Sequence, residues 1–138
     1  MADGEYRLDD AVGFLLRRAN QRHLSVFGTL LPELTTTQLA AMARLAELGP
    51  MSQNQLGRLT AMDAATIKGV VGRLVTRGLV STVPSQEDRR RLIVDLTAEG
   101  RALFETLRER AREATEVTLS PLTAAERERF LSLLRRLV

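Results

Sequence analysis

The sequence predicts a mainly α fold that carries a small antiparallel β wing, on three observations. Apolar residues recur at helical spacing along most of the 138 residues. Three capping boxes, Thr35-Thr36-Thr37-Gln38, Ser52-Gln53-Asn54-Gln55 and Thr123-Ala124-Ala125-Glu126, mark helix starts. One stretch alternates with a period of two, at Leu92, Val94 and Leu96, and it follows a polar turn that ends in three arginines.

The first helix is expected from Leu8 to Leu31, with Leu8, Val12, Leu15, Ala19, Val26 and Leu30 on one face and Pro32 as its stop. The second opens at the Thr35 box and runs through Leu39, Met42 and Leu45 to Gly49-Pro50. A short third helix opens at the Ser52 box and buries Leu56 and Leu59. After the turn Thr60-Ala61-Met62, Asp63 caps a fourth helix that reaches Arg77, where Gly78 supplies a left-handed end. Two strands follow, Leu79–Val83 and Arg91–Leu96, with Leu92, Val94 and Leu96 toward the core. Thr97 caps a fifth helix to about Leu119, broken by Pro121, and the last helix runs from Thr123 through Phe130, Leu133, Leu134 and Leu137.

Helices three and four with the hairpin make a winged helix-turn-helix over residues 35–97. The flanking segments, 1–34 and 98–138, form a helical region of the same compact domain. No internal repeat or low-complexity linker interrupts the order.

Composition narrows the chemistry. With 4 Phe, 1 Tyr and no Trp, the core must be built from Leu, Val and Ala. The absence of cysteine excludes disulfides, thiolate metal sites and cysteine nucleophiles. One histidine, and no paired carboxylates in an apolar setting, leave nothing to build a catalytic or metal site from, so neither an enzyme nor a cofactor is expected. No run approaches the ~18 apolar residues of a membrane span. The N-terminus, Met1-Ala2-Asp3-Gly4-Glu5, is acidic and lacks a signal-peptide apolar region, so a cytoplasmic protein is expected.

The net charge of +3 is modest, but it is concentrated. Between Ser52 and Leu96 seven bases face four acids, whereas the rest of the chain balances at thirteen of each. Lys68 is the sole lysine, so the remaining bases are arginines, which suit forked contacts to phosphates and base edges. A codon bias toward arginine would read the same way.

In a helix-turn-helix the second helix lies in the major groove of double-stranded DNA. On the fourth helix Ile67, Val70, Val71 and Leu74 share one face and must pack inward. The opposite face carries Ala65, Gly69, Gly72 and Thr76, flanked by Thr66, Lys68 and Arg73. Two interior glycines cost roughly 1 kcal/mol each against alanine. Either they keep the face flat for close approach to the duplex, or they accommodate local packing. The expected reading surface is Ser52, Gln53 and Asn54; then Asp63, Ala64, Ala65, Thr66, Lys68, Gly69 and Arg73; then the wing arginines Arg89, Arg90 and Arg91. A narrow, electronegative minor groove attracts inserted guanidinium groups; the bland alternative is a solvated charge run. Asp88, two residues from Arg90, supports the wing either by a salt bridge to that guanidinium or by capping the turn.

The stretch Asp88-Arg89-Arg90-Arg91-Leu92-Ile93-Val94-Asp95-Leu96-Thr97, followed by Ala98-Glu99-Gly100, resembles the wing signature of the MarR family of bacterial transcriptional regulators. Arg73-Leu74-Val75-Thr76-Arg77-Gly78-Leu79-Val80 resembles that family's recognition-helix exit, and the helix order is similar along essentially the whole chain. The resemblance implies a homodimer whose first, fifth and sixth helices interlock. It also implies a repressor, or occasionally an activator, bound to a pseudopalindrome and released by a small ligand. Gly57 departs from the pattern, where the family usually carries a small helix former, and is expected to weaken its helix slightly. The residues agree on N- and C-terminal dimerisation helices. Phe14, Leu15 and Leu16 at one end, and Phe130, Leu131, Leu133, Leu134, Leu137 and Val138 at the other, exceed what one small domain buries. A two-fold dimer would set two recognition helices ~34 Å apart.

In such regulators the ligand sits between the dimer helices and the DNA-reading lobe. Segments similar to Arg17–Phe27 occur in family members that answer to aromatic carboxylates or their coenzyme A thioesters. Arg22 and His23 could meet an anionic or carbonyl group, with Phe27 and Met42 as apolar walls. The structural alternatives are a helix-interface histidine with a satisfied hydrogen bond, solvated or interface salt bridges from Arg17, Arg18 and Arg22, and a core role for Phe27 and Met42. The competing function is a ligand-independent, architectural DNA-binding protein.

Overall fold

The computed structural model describes residues 4–138; Met1, Ala2 and Asp3 of the acidic N-terminus lie outside the described residues. Two compact units divide the chain: one holds the segment up to Leu30 together with Arg110–Val138, the other Leu31–Glu109.

The second unit is built around a three-stranded sheet. Helix α2 (Thr36–Leu48) leads into a two-residue strand, β1 (Met51–Ser52), then α3 (Gln53–Leu59), α4 (Ala64–Thr76) and the hairpin β2 (Val80–Pro84) and β3 (Leu92–Leu96). The sheet order is β1-β3-β2, all antiparallel, with Met51 opposite Val94 and Val80 opposite Leu96. Sequence patterning missed β1, because a two-residue strand that ends on a helix cap carries no period. Ser52 both pairs with Ile93 and caps α3. The hairpin strands begin one residue later than expected. Burial rises along β3 toward its base: Val94 and Leu96 are buried as expected, whereas Leu92, opposite Pro84 at the wing end, is exposed. Leu45, Leu56, Ile67, Leu74 and Val94 form the fully buried centre, while Leu59 is half-buried.

Local chemistry explains the helix starts. The Thr35 box is complete, with Thr35 Oγ1 accepting from the Gln38 amide and Gln38 Oε1 accepting from the Thr35 amide. The Ser52 box is half made: Ser52 Oγ accepts from the Gln55 amide at 3.2 Å, while the Ser52 backbone is committed to the sheet. Helix α5 (Ala98–Thr118) begins on Thr97, whose hydroxyl donates to the Gly78 carbonyl at 2.6 Å and accepts from the Gly100 amide at 3.0 Å. That one side chain joins the exit of α4 to the start of α5.

The first unit contains α1 (Val12–Leu30), the end of α5 and α6 (Ala124–Arg135). The expected unbroken helix from Leu8 is interrupted. Leu8–Asp10 form a 3-10 turn, closed by the Ala11 amide on the Leu8 carbonyl, and Ala11 is extended. Asp9 and Asp10 compete with the backbone for hydrogen bonds and favour a helix start over a helix interior. The Thr123 box is complete, and hydrogen bonds from the Thr123 amide and hydroxyl hold the Glu126 carboxyl below its usual range. Much apolar surface of this unit is open, including Val12, Leu15, Leu16, Phe130, Leu133 and Leu137, each at least 40% exposed.

Candidate nucleic-acid interface

The α3–α4 pair is closed by a short, tightly bonded turn. The Thr60 hydroxyl donates to the Leu56 carbonyl at 2.6 Å, and the Met62 amide donates to the Gly57 carbonyl at 2.9 Å. Ala61 takes a left-handed conformation at φ 56°, a strain of about 1 kcal/mol for a residue with a Cβ. Gly57 is not merely a weak helix former. A Cβ there would lie 3.1 Å from both Ile67 Cγ2 and the Met62 carbonyl oxygen, so the glycine permits the close approach of α3 to α4.

Asp63 caps α4, its Oδ1 accepting from the Thr66 amide at 2.7 Å. Hydrogen bonds from Thr66 hold this exposed carboxyl below the usual aspartate range. A lowered folded-state pKa stabilises the native state fully above the unfolded value of about 3.9 and ceases to do so as pH falls through the folded value. The first-turn amides of α4 should therefore lose hydrogen-exchange protection on acidification below about pH 4, after correction for intrinsic rates. Asp63→Asn, which caps at any pH, should lack that step; the same step in the variant would refute the assignment.

The inner face of α4 packs as its spacing requires, with Ile67, Val70, Val71 and Leu74 all buried. Ala64, Ala65, Thr66, Lys68, Gly72 and Arg73 are exposed and Gly69 is half-buried. A Cβ at Gly72 would meet nothing within 4 Å, and one at Gly69 would meet only the Arg73 guanidinium, at 3.4 Å and beyond. Neighbouring elements therefore do not demand either glycine. Their smallness is displayed outward.

The wing is ordered by its own backbone. The Ser85 amide donates to the Arg91 carbonyl at 2.8 Å, the Arg91 amide to the Asp88 carbonyl at 2.9 Å, and Ser85 Oγ accepts from the Glu87 amide at 3.2 Å. Asp88 fulfils both roles considered for it. Its Oδ1 accepts from the Arg90 amide at 3.0 Å, capping the turn, and from Arg90 Nε at 3.3 Å, holding the side chain. The Arg90 side chain is nonetheless 92% exposed. A small cleft of about 90 Å³, lined by Ser52, Gln53, Asn54, Arg90, Arg91 and Leu92, brings the start of α3 and the wing arginines together. Arg89 is exposed at the tip.

In the first unit, Arg22 and His23 meet the C-terminus of α5. Arg22 Nε donates to the Thr118 carbonyl at 3.0 Å, and its Nη2 donates to the Val117 carbonyl at 2.9 Å and to Ser120 Oγ at 3.3 Å. A cation on the last carbonyls of a helix satisfies orphan acceptors and complements the helix dipole. His23 Nδ1 lies 2.8 Å from Thr118 Oγ1, and its ring is tilted against Phe27 at 6.0 Å. Arg22 is held by these carbonyl contacts, and Arg18 lies over the Phe14 ring, 5.8 Å from its centroid. Thr118 and Ser120 were invisible to sequence reasoning, since they lie some 95 residues from their partners. A hollow of about 530 Å³ is lined by Leu16, Asn20, Arg22, His23, Thr118, Leu122, Phe130 and further apolar side chains. Phe27 and Met42, the expected apolar walls, do not line it: both are buried, Met42 in the core of the second unit.

Among the described residues there is no group of acids and histidines suited to a metal, and no helix is long and apolar enough to cross a membrane. Residues 33–91 match the family model for the MarR family. The transcriptional repressor NicR of Pseudomonas putida is 42% identical over 135 residues, covering 96% of this chain and 85% of that protein. The crystal structure of a probable transcriptional regulator from Pseudomonas aeruginosa is 53% identical, with a TM-score of 0.92, across 96% of this chain and all of that one. BpsR of Bordetella bronchiseptica, solved to explain how 6-hydroxynicotinic acid regulates its DNA binding, is 38% identical with a TM-score of 0.92 over 97% of both chains. The chain is therefore a member of the MarR family of winged-helix transcriptional regulators, which bind DNA and are not enzymes.

Proposed function

We propose that the protein is a homodimeric repressor that reads a pseudopalindromic operator with α4 and the wing, and is released by a small aromatic carboxylate or its coenzyme A thioester. The observation that carries the DNA half is the outward-facing surface of α4, bare at Gly69 and Gly72, together with an exposed Arg90 held by Asp88. Residues 35–97 are the DNA-binding region, with Ser52–Asn54, Asp63–Thr66, Lys68, Gly69, Arg73 and Arg89–Arg91 at the duplex. Residues 1–34 and 98–138 form the dimerisation region, whose open apolar side chains a second copy would cover. The repressor sense follows the likeness to NicR, and the aromatic-acid class follows the likeness to BpsR, with 6-hydroxynicotinic acid as the first candidate. Such an effector acts only by binding the DNA-incompetent arrangement more tightly. Arg22 and His23, which line the hollow of the first unit, are its expected polar contacts.

The test is binding of the purified protein to its gene's own upstream intergenic DNA, against scrambled DNA, across a salt series and with aromatic acids added. Preference for the upstream fragment, lost on adding an acid, supports the reading. Salt-dependent binding without preference or release would mark an architectural protein instead. An effector at 100 times its Kd should also add ~2.7 kcal/mol to folding stability in a thermal-shift assay. His23→Ala should change the acid concentration needed for release more than it changes DNA affinity. An unaltered response would leave His23 as a helix pin on Thr118 alone.

A further inference from the structure

The exit of α4 is held by a side chain that the DNA-reading surface does not use. Arg77, the C-cap residue of α4, donates through Nη1 to the Glu33 carbonyl at 2.7 Å and reaches Gln38 Oε1 at 3.5 Å. Gln38 is buried at 6% exposure, the one buried polar side chain among the described residues, and the same oxygen accepts from the Thr35 amide at 3.1 Å. The acceptors are therefore fixed: one belongs to the backbone just ahead of α2, the other to the complete capping box that starts α2. The Arg77 backbone is equally committed, its amide donating to the Arg73 carbonyl at 3.1 Å, one turn back along the face that carries the DNA-facing arginine.

We infer that Arg77 is a positioning residue for operator reading: it latches the C-terminal end of α4 to the start of α2 and so sets the angle at which α4 is presented. The inference rests on the reading of α4 as the recognition helix. Both contacts leave one nitrogen, Nη1, whose two hydrogens point in fixed directions in the guanidinium plane, whereas lysine offers a rotating point donor on a shorter stem. Specific recognition requires base edges to be met within a few tenths of an ångström, whereas attraction to phosphates tolerates a tilted helix. A lost latch should therefore reduce discrimination rather than general affinity.

The experiment compares wild type, Arg77→Lys and Arg77→Met for binding to the upstream intergenic fragment and to scrambled DNA, across a salt series, with circular dichroism and thermal melts confirming the fold. The latch predicts that both variants lose about three- to tenfold of their preference for the upstream fragment, although Arg77→Lys keeps the charge and its salt slope is that of wild type. Should Arg77→Lys match wild type while Arg77→Met weakens both duplexes equally and lowers the salt slope by about one, Arg77 is a phosphate contact and the latch is refuted. A wild-type chain that bound both duplexes alike would refute the recognition reading itself, and the latch with it.

Discussion

Gly100→Ala is expected to lower folding stability by about 3 kcal/mol, the upper end of the usual overpacking range, and the melting temperature by roughly 10 °C. A Cβ at Gly100 would overlap the Leu79 carbonyl oxygen and crowd Leu79 C at 2.9 Å. Neither partner can yield cheaply. Leu79 is anchored on both sides, its amide donating to the Leu74 carbonyl at 3.0 Å and its oxygen accepting from the Thr97 amide at 3.1 Å. The Gly100 amide is held by Thr97 Oγ1, which in turn donates to Gly78, itself left-handed at φ 72°. Relief of the overlap would break the joint that ties α4, β2 and α5 together. Helix propensity alone predicts the opposite sign, a gain of about 1 kcal/mol for alanine over glycine inside a helix. Gly72→Ala supplies the contrast, since a Cβ there meets nothing. It should gain about that 1 kcal/mol and, on the proposed reading of α4, still weaken operator binding, because its methyl would stand between the helix and the duplex. Urea unfolding of the two variants decides the matter; a Gly100→Ala protein as stable as wild type would disprove the packing argument.

That contrast also shows where sequence reading stopped. Elements governed by neighbours within one helical turn were legible. The Thr35 and Thr123 boxes, the Asp63 cap, the left-handed Gly78 and the inward face of α4 all follow from spacing and side-chain chemistry. Features that depend on distant partners were not. Gly100 was visible only as part of a signature, because its role needs the carbonyl of Leu79, 21 residues earlier. Gly57 looked like a mild defect until the 3.1 Å approach to Ile67 gave it a purpose. The β1 strand was too short for periodicity, and the α1 break at Ala11 was overridden in the reading by apolar spacing. For the candidate site, the Asp88–Arg90 relation is local and was legible. The capping of α5 by Arg22 joins residues 95 and more apart and was not.

Arg90→Ala should weaken operator binding by roughly 1–3 kcal/mol while leaving the fold intact. The fold should not notice, because the Arg90 side chain is 92% exposed and an exposed ion pair contributes only about 0–1 kcal/mol. Removal of one phosphate-neutralising charge should also reduce the salt slope by about one. Asp88→Ala is the sharper companion. Net-charge reasoning says that loss of a carboxylate beside the duplex tightens binding. The structure argues the reverse, since Asp88 Oδ1 receives both the Arg90 amide and Arg90 Nε and so holds the guanidinium ready before DNA arrives. An arginine side chain has up to about 2 kcal/mol of rotamer freedom to lose on ordering, and prior restraint reduces that loss at binding. If restraint dominates, Asp88→Ala weakens operator binding, and the double variant binds no worse than Arg90→Ala alone, because Asp88 acts through Arg90. If charge dominates, Asp88→Ala binds more tightly and the two effects add. Dissociation constants at one fixed salt concentration separate these outcomes by sign, and wild-type affinity in Arg90→Ala would remove the wing from the interface altogether.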